Sequence, residues 1–277
     1  MGKARPLSAS TGLSTADCPR HERVDVMGIR VSAIDMLTAL DTIDSWVAER
    51  TPNYVCVTGV HGVMESQSDP ELRRIHNDAG LVTPDGMPLV WLCRHHGNPQ
   101  VERVYGPDLL LRCCQRSLES GWSHFFYGGA DGVAESLAER LKLKFPGLKV
   151  AGCHCPPFRP LTAAEDAAIR GQIRDSGADI VWVGLSTPKQ ERWMAANVGR
   201  LGAPVLIGVG AAFDFHSGRK RQAPLWMQHS GLEWLFRLMQ EPRRLGPRYL
   251  KNNPLFLYFL LARSLQRTAS KSITDES

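Results

Sequence analysis

The side chain with the clearest potential for acid–base chemistry is Asp85, in the segment Thr83-Pro84-Asp85-Gly86. This segment follows a short apolar run and precedes a helix predicted to begin near Pro88, which places the carboxylate in a rigid loop. No Lys or Arg within the loop neutralises it, so it could accept a proton as a general base. An Asp before an apolar helical run is more often an N-cap, which accepts a hydrogen bond from the first turn. Both interpretations stay open from spacing alone.

Two further loops carry side chains suited to anionic or sugar ligands. Lys189 and Gln190 follow the most apolar predicted strand, where an ammonium group suits an anion and an amide suits sugar hydroxyls. The alternative for this pair is the solvated first turn of a helix. Arg103 could clamp a phosphate, because a guanidinium matches phosphate oxygens in a bidentate manner. Its alternative is a surface ion pair with Glu102 or Asp108.

A glycine-rich loop, Gly128-Gly129-Ala130-Asp131-Gly132, could receive a phosphate on backbone N–H groups at the start of a helix. It has neither GxGxxG spacing nor the lysine of a P-loop, so a plain tight turn is an equal alternative. The sequence also contains no DxD, GxSxG or CxxC motif. Its seven cysteines indicate free thiols, and Cys153-His154-Cys155 lacks the second ligand pair of a zinc site. No metal and no cofactor is therefore expected.

The segments that position these loops alternate between two kinds. Short apolar runs of strand length are predicted at residues 54–58, 124–127, 149–153, 179–185 and 205–209, and amphipathic helices at 34–49, 108–117, 132–144, 163–176 and 189–200. This alternation predicts an α/β fold with a mostly parallel sheet covered by helices. Ligands of such sheets bind beyond the carboxyl ends of the strands. The loops described above are therefore expected to meet at one edge of the sheet.

Composition divides the chain of 277 residues into three parts. Residues 1–22 lack apolar periodicity and are predicted to be a disordered lead. Residues 23–221 are the predicted α/β catalytic domain. Residues 222–277, hereafter the tail, are a predicted helical appendage in which aromatic and basic side chains alternate. Its helices are expected to be short, each opened by one of the prolines Pro224, Pro242, Pro247 and Pro254.

Positive charge is concentrated near the C-terminus. Residues 218–277 contain eleven Lys and Arg against four acidic side chains, a net charge of +7. The total of +5 therefore leaves −2 for the first 217 residues. An anionic membrane surface, a phosphorylated substrate or a nucleic acid is the expected partner of the tail. No run reaches the roughly 20 apolar residues of a transmembrane helix, and the apolar run 255–262 is expected to lie in a membrane interface.

Taken together, five motifs resemble the WecG/TagA/CpsF family of bacterial glycosyltransferases, glycosyltransferase family 26. The resemblance extends from about Val24 to Phe259. The motifs are TPDG at 83–86, ERVYGPDL at 102–109, VGLSTPKQE at 183–191, GVGAAFDF at 208–215 and GLEWLFRLMQEPRR at 231–244. Their common order along the chain makes a chance similarity very improbable, and it gives the individual signals one shared explanation.

The resemblance implies a Rossmann-like enzyme that moves a sugar from a UDP-sugar to a polyprenyl-diphosphate-linked saccharide. Members of the family act at the inner face of the bacterial plasma membrane, in teichoic acid, capsule and exopolysaccharide assembly. They invert the anomeric centre and use no DxD metal site. N-acetylmannosamine, its uronic acid, glucose and glucuronic acid all stay open as the donor sugar.

The resemblance also implies roles for individual residues. The general base matches Asp85, and the threonine of the first crevice loop matches Thr58. Arg103 and Gln190 then belong to the active site, and Asp214 lies on the nucleotide side. Further substrate-binding candidates are Gly128, Gly129, Lys189 and Phe158, the last as a stacking partner of uracil, together with Arg237, Arg244 and Arg248 of the tail, which would reach the donor diphosphate.

One departure from the family pattern concerns the first crevice loop. Many members have Asn two residues after the threonine, whereas this chain has Val60 followed by His61. Because the resemblance implies that this loop contributes to the sugar pocket, the departure bears on the identity of the donor sugar.

Two other functions compete with the enzyme. A nucleic-acid-binding module would use the basic aromatic tail, but it leaves the crevice motifs unexplained, and nucleic acid is not the expected partner. A silent scaffold of a polysaccharide assembly complex would have the fold without turnover. Whether the protein forms a homo-oligomer stays open.

Overall fold

A parallel sheet forms the centre of the fold. The computed structural model describes residues 21–247, 249–256 and 258–259, so residues 1–20 of the predicted lead lie outside the described residues. The strands are β1 (Arg23–Val26), β2 (Ile29–Ser32), β3 (Asn53–Thr58), β4 (Leu81–Pro84), β5 (Ser123–Gly128), β6 (Lys149–His154), β7 (Ile180–Gly184) and β8 (Val205–Gly208). The last six form one sheet in the order β4-β3-β8-β7-β5-β6, with every neighbouring pair parallel. The α/β prediction is confirmed.

Helices connect the strands and cover both faces of the sheet. They are α1 (Met36–Ala48), α2 (Val60–Ser68), α3 (Pro70–Asp78), α4 (Met87–His95), α5 (Gly106–Ser120), α6 (Val133–Lys144), α7 (Ala163–Asp175), α8 (Lys189–Asn197), α9 (Ala212–His216), α10 (Leu225–His229) and α11 (Glu233–Gln240). The five predicted helices correspond to α1, α5, α6, α7 and α8. Helices α2 and α3 were not predicted. They are short and meet at Asp69, the N-cap of α3, which accepts a hydrogen bond from Leu72 N (3.0 Å).

The β1–β2 hairpin was not predicted either. Its two strands are antiparallel and only four residues long. They turn at Met27 and Gly28, whose φ angles are +56° and +85°. Positive φ at both central residues is the geometry that two-residue hairpin turns favour.

Successive side chains of a strand point to opposite faces of the sheet, so a separate hydrophobic core forms on each face. In β7, Val181 and Val183 face one core, whereas Ile180 and Trp182 face the other. All four side chains are completely buried. Burial on both faces explains why these strands are continuous apolar runs instead of alternating polar and apolar residues.

The described part of the tail is helical and lies against the domain. Beyond α11, residues 242–247 and 249–256 are helical, and Leu245 and Phe256 are buried. Pro224 is the N-cap of α10, and the helical run after α11 begins at Pro242, as predicted. The prediction is wrong for Pro247, the last residue of the run 242–247, and for Pro254, which lies within the run 249–256. A proline inside a helix removes one backbone hydrogen bond, and at Pro254 it does not end the helix.

No helix in the described ranges has the length and apolar character needed to cross a bilayer.

The glycine-rich loop after β5 allows the backbones of β5 and β7 to approach closely. Gly128 has a φ of +132°, and a Cβ atom there would lie 2.6 Å from the carbonyl carbon and oxygen of Gly184. The backbones of β5 and β7 therefore approach too closely for any side chain at this point. Gly129 N donates to the Gly184 carbonyl (3.0 Å) and fixes the approach.

Gly128→Ala is expected to destabilise the protein by about 1–3 kcal/mol more than its control, the usual cost of forcing extra volume into a packed site. Gly132→Ala is the matched control, because Gly132 has a φ of +72° in the same loop but faces open space. The control should cost no more than about 1–2 kcal/mol, the penalty of a left-handed backbone alone. Urea unfolding of both variants makes the comparison, and equal costs would contradict the close-approach argument.

Candidate active site

A cavity of about 1610 Å³ opens at the carboxyl ends of the strands. Its wall includes residues from the loops after β3, β4, β5, β7 and β8, together with residues of the tail. The loops singled out by their chemistry therefore do meet at one edge of the sheet. This edge is where parallel α/β sheets bind their ligands.

Asp85 occupies the cavity wall directly after β4. The register pairs Thr58 with Pro84 across β3 and β4, and Asp85 N continues the pairing by donating to the Thr58 carbonyl (3.0 Å). Its Oδ1 accepts a hydrogen bond from Gly106 N (3.1 Å). The N-cap interpretation is wrong, because Gly86 occupies the cap of α4 and no side chain caps that helix.

The second carboxylate oxygen of Asp85 is open to a ligand. Within the described residues, Oδ2 accepts no hydrogen bond, and its neighbour is Gly59, where a Cβ atom would lie 3.7 Å away. Burial raises the pKa of Asp85, and this effect outweighs the lowering by Arg103 and by the Gly106 N–H bond. A carboxylate with a raised pKa binds a proton more tightly than an ordinary Asp, which suits a general base.

Arg103 lies beside Asp85 but pairs with a residue of the tail. Its Nε donates to the Asp85 carbonyl oxygen and its Nη2 to Glu233 Oε2. The Tyr105 hydroxyl donates to the other oxygen of Glu233 (2.8 Å), and the guanidinium lies 3.8 Å from the centre of the Tyr105 ring. The alternative of a surface pair with Glu102 or Asp108 is wrong. Only 14% of the Arg103 side chain and 12% of the Glu233 side chain are exposed.

Burial and the neighbouring carboxylates shift the pKa values of Arg103 and Tyr105. Burial alone lowers the pKa of Arg103, but the carboxylates of Asp85 and Glu233 outweigh it and raise that pKa. The pKa of the Tyr105 phenol is raised, first by burial and then by Glu233. Arg103 and Tyr105 therefore stay protonated, so both remain donors to Glu233.

Gln190 lies at the floor of the cavity, at the start of α8. It is 3% exposed and its Nε2 donates to Glu191 Oε1 (3.0 Å), which also accepts from Thr187 Oγ1 (2.9 Å). The solvated-turn alternative is therefore wrong for Gln190, although Lys189 is exposed on the cavity wall. Thr58 is buried and its hydroxyl donates to the Cys56 carbonyl (3.2 Å).

The remaining candidates surround this centre at different depths. Gly129 and Phe158 line the cavity, and Phe158 is 90% exposed on its rim. Asp214 pairs with Lys220 (2.6 Å). Gly128 packs against the backbone of Gly184, as described above.

The tail places two of its arginines at the cavity. Arg237 and Arg244 line it; Arg237 lies 5.9 Å from the centre of the Phe215 ring, and Arg244 pairs with Glu241 (2.5 Å). Arg248 lies outside the described residues.

Two tail contacts were not found by sequence reasoning. Glu233 was part of a quoted motif, but nothing in its spacing pairs it with Arg103. His61 was noted as a departure from the family pattern; its Nδ1 lies 3.0 Å from Nδ2 of Asn252 in the tail. Both contacts join segments more than a hundred residues apart, so no local signal could have revealed them.

The described part of the chain contains no group of three or more His, Cys, Asp and Glu side chains arranged to hold a metal ion.

Comparison with known proteins agrees with this geometry. The sequence model of the glycosyl transferase WecG/TagA/CpsF family matches residues 24–270. Similar curated proteins include the N-acetylglucosaminyldiphosphoundecaprenol N-acetyl-beta-D-mannosaminyltransferases of Staphylococcus aureus strains MW2, NCTC 8325 / PS 47 and MRSA252. Each is 24% identical over 85% of this chain and 91% of its own length. Because the family match covers most of the sequence and contains every loop of the cavity, the chain belongs to the WecG/TagA/CpsF family of glycosyl transferases.

Proposed function

We propose that this chain transfers a sugar from a UDP-sugar to a saccharide carried on a polyprenyl diphosphate. The observation that carries the proposal is Asp85, whose free Oδ2 lines a large cavity at the carboxyl ends of the strands. Small-molecule pockets usually measure about 300–1,000 Å³, so this cavity has room for a donor and for the head of an acceptor together. The names of the Staphylococcus aureus relatives favour N-acetylmannosamine as the sugar and N-acetylglucosamine as the acceptor.

The proposed reaction is a direct displacement. Asp85 accepts the proton of the acceptor hydroxyl while that oxygen attacks the anomeric carbon. The bond from this carbon to the phosphate oxygen breaks on the opposite face, and its electron pair leaves with UDP. One bond forms as another breaks, so the configuration at the carbon inverts. Arg237 and Arg244 line the cavity and would meet the negative charge that develops on the leaving diphosphate.

The donor and acceptor are identified by a screen with the full-length protein. UDP-N-acetylmannosamine, its uronic acid, UDP-glucose and UDP-glucuronic acid are each incubated with a short-chain polyprenyl-diphosphate N-acetylglucosamine, and UDP release and product mass are measured. The proposal expects one donor to give a disaccharide product. Absence of a product with every donor and this acceptor would contradict it.

The role of Asp85 is tested by Asp85→Asn. The amide keeps an oxygen that can accept from Gly106 N, so the fold should persist, but it cannot take up the acceptor proton. We expect turnover to fall about 10²–10⁴-fold, the usual contribution of a general base. Asp108→Asn is the matched control, because Asp108 stands near Arg103 without lining the cavity. Retention of more than about a tenth of the wild-type kcat by Asp85→Asn would refute the assignment.

Metal independence is a separate prediction. The sequence has no DxD motif, and arginines at the cavity can neutralise a diphosphate without a cation. Transfer is expected to continue at an unchanged rate in excess EDTA, with a metal-dependent glycosyltransferase as the control for chelation. Loss of activity that Mg²⁺ or Mn²⁺ restores would show that this prediction is wrong.

We also propose peripheral attachment of the tail to the inner face of the plasma membrane, where a polyprenyl-linked acceptor resides. The two acidic side chains of residues 222–259 are turned inward: Glu233 to Arg103, and Glu241 to Lys220 (3.1 Å). The exposed face of the tail combines cations with apolar side chains and includes Arg243, Leu250, Lys251 and Tyr258. This combination suits an interfacial helix on an anionic surface.

Membrane attachment is tested with liposomes. Replacing Arg243 and Lys251 by Gln should weaken binding to anionic liposomes about thirtyfold, because each basic side chain contributes about 1 kcal/mol near such a surface. The matched control replaces Lys144 and Lys149 by Gln, which removes the same charge from exposed sites at the opposite edge of the sheet. Equal effects of the two pairs in cosedimentation would contradict the proposed face.

A further inference from the structure

Glu233 of the tail lies beside the proposed chemistry, in contact with Arg103 and Tyr105. Its two oxygens are divided between two partners, Arg103 Nη2 and the Tyr105 hydroxyl. Both partners come from the segment that follows α4 and leads into α5, the same segment whose Gly106 N–H holds Asp85 Oδ1. A single tail carboxylate therefore fixes the two side chains that stand next to the base.

The contact of Arg103 with Glu233 bears on Asp85, because Arg103 lies beside both residues. Its Nε is bonded to the carbonyl oxygen of Asp85, so the guanidinium lies within reach of two carboxylates, those of Asp85 and Glu233. It pairs with Glu233, and Oδ2 of Asp85 accepts no hydrogen bond within the described residues. A largely buried cation that loses its partner carries a high desolvation cost. Besides Glu233, the carboxylate whose charge acts on Arg103 is that of Asp85, the proposed base.

We propose that Glu233 is a positioning residue that holds Arg103 away from the Asp85 carboxylate, so that the base is free only when the tail is docked. This inference rests on the proposed function, in which Asp85 accepts the proton. The tail then does more than cover the cavity, because its carboxylate decides which partner Arg103 takes. Arg103 in turn acts on the orientation of the Asp85 loop through its bond to the carbonyl oxygen.

The proposal has a signature in the titration of Asp85. The negative charge of Glu233 raises the pKa of Asp85, whereas Arg103 lowers it. Glu233→Gln removes the negative charge that raises the pKa of Asp85. It also frees Arg103 to pair with Asp85, which lowers that pKa further. Both changes act in the same direction, so the pKa of Asp85 should fall by about one unit or more, as is usual for an Asp that gains an Arg partner. The acidic limb of kcat/KM should move to lower pH by the same amount.

The primary measurement is the carboxyl carbon-13 titration of Asp85 in full-length protein labelled at aspartate. The Asp85 signal is the one that Asp85→Asn removes. Glu233→Gln is compared with Glu233→Asp, which keeps the charge, and with Glu241→Gln, which loosens a second tie of the tail without touching Arg103. The expected result is a lowered Asp85 pKa in Glu233→Gln, a value near that of the wild type in Glu233→Asp and no change in Glu241→Gln. An unchanged or raised pKa in Glu233→Gln would overturn the proposal.

A second pair of variants tests the route through Arg103. In Arg103→Gln, adding Glu233→Gln removes only the direct charge effect, so the Asp85 pKa should fall much less than it does when Arg103 is present. A fall of about one unit or more in this background would overturn the route. Because the double variant removes both members of the buried pair, it remains informative if Glu233→Gln alone does not fold.

The transfer assay supplies a third readout. With Glu233→Gln, we expect the plateau rate to fall about tenfold to a hundredfold, as for a misplaced catalytic group, with the acidic limb displaced. A tail that merely stabilises the fold would lower the rate equally at every pH, which would count against the proposal. The carbon-13 titration does not require turnover, so a wild-type protein inactive with all donors would refute the proposed function without deciding the role of Glu233.

Discussion

The buried ion pair between Arg103 and Glu233 joins the α/β domain to the tail. A guanidinium and a carboxylate that are largely removed from water are stable only when each satisfies the other and neighbouring groups complete their hydrogen bonds. Here Tyr105 and the Asp85 carbonyl supply those groups. The same contact links the loop after β4 to the tail, which also contributes Arg237 and Arg244 to the cavity wall.

Beneath the pair, the sheet determines where the chemistry can occur. Parallel register brings the ends of β3 and β4 level, so that Thr58 and Pro84 are partners and Asp85 is the first residue beyond them. The N–H of Asp85 bonds to Thr58 across this junction, which leaves its side chain directed by backbone geometry and not by a cap. Asp85, the proposed base, is thus positioned by strand pairing, to which Arg103 adds a hydrogen bond to the Asp85 carbonyl oxygen.

Features of the fold and site that arise from neighbouring residues in the sequence could be predicted, whereas contacts between distant segments could not. Continuous apolar runs such as residues 180–184 indicated buried parallel strands, because burial on both faces leaves no polar positions. The loop of Asp85 was found by its spacing, but its true partner, Gly106 N, could not be separated from a helix cap without the fold. Glu233 was beyond reach, since its pairing with Arg103 spans 130 residues. The short strands β1 and β2 carried too few residues for a periodic pattern.

Glycines at 59, 62, 86, 129, 184 and 210 contribute main chain to the cavity wall. Main-chain groups cannot be exchanged by substitution, and a side chain added next to the floor at Gly128 would collide with the neighbouring strand. The site therefore combines main-chain groups, whose chemistry no substitution changes, with exposed side chains at its rim, such as Phe158 and Lys189. A substitution at the rim can change the shape of the cavity mouth while the hydrogen-bonding groups of the main chain stay the same.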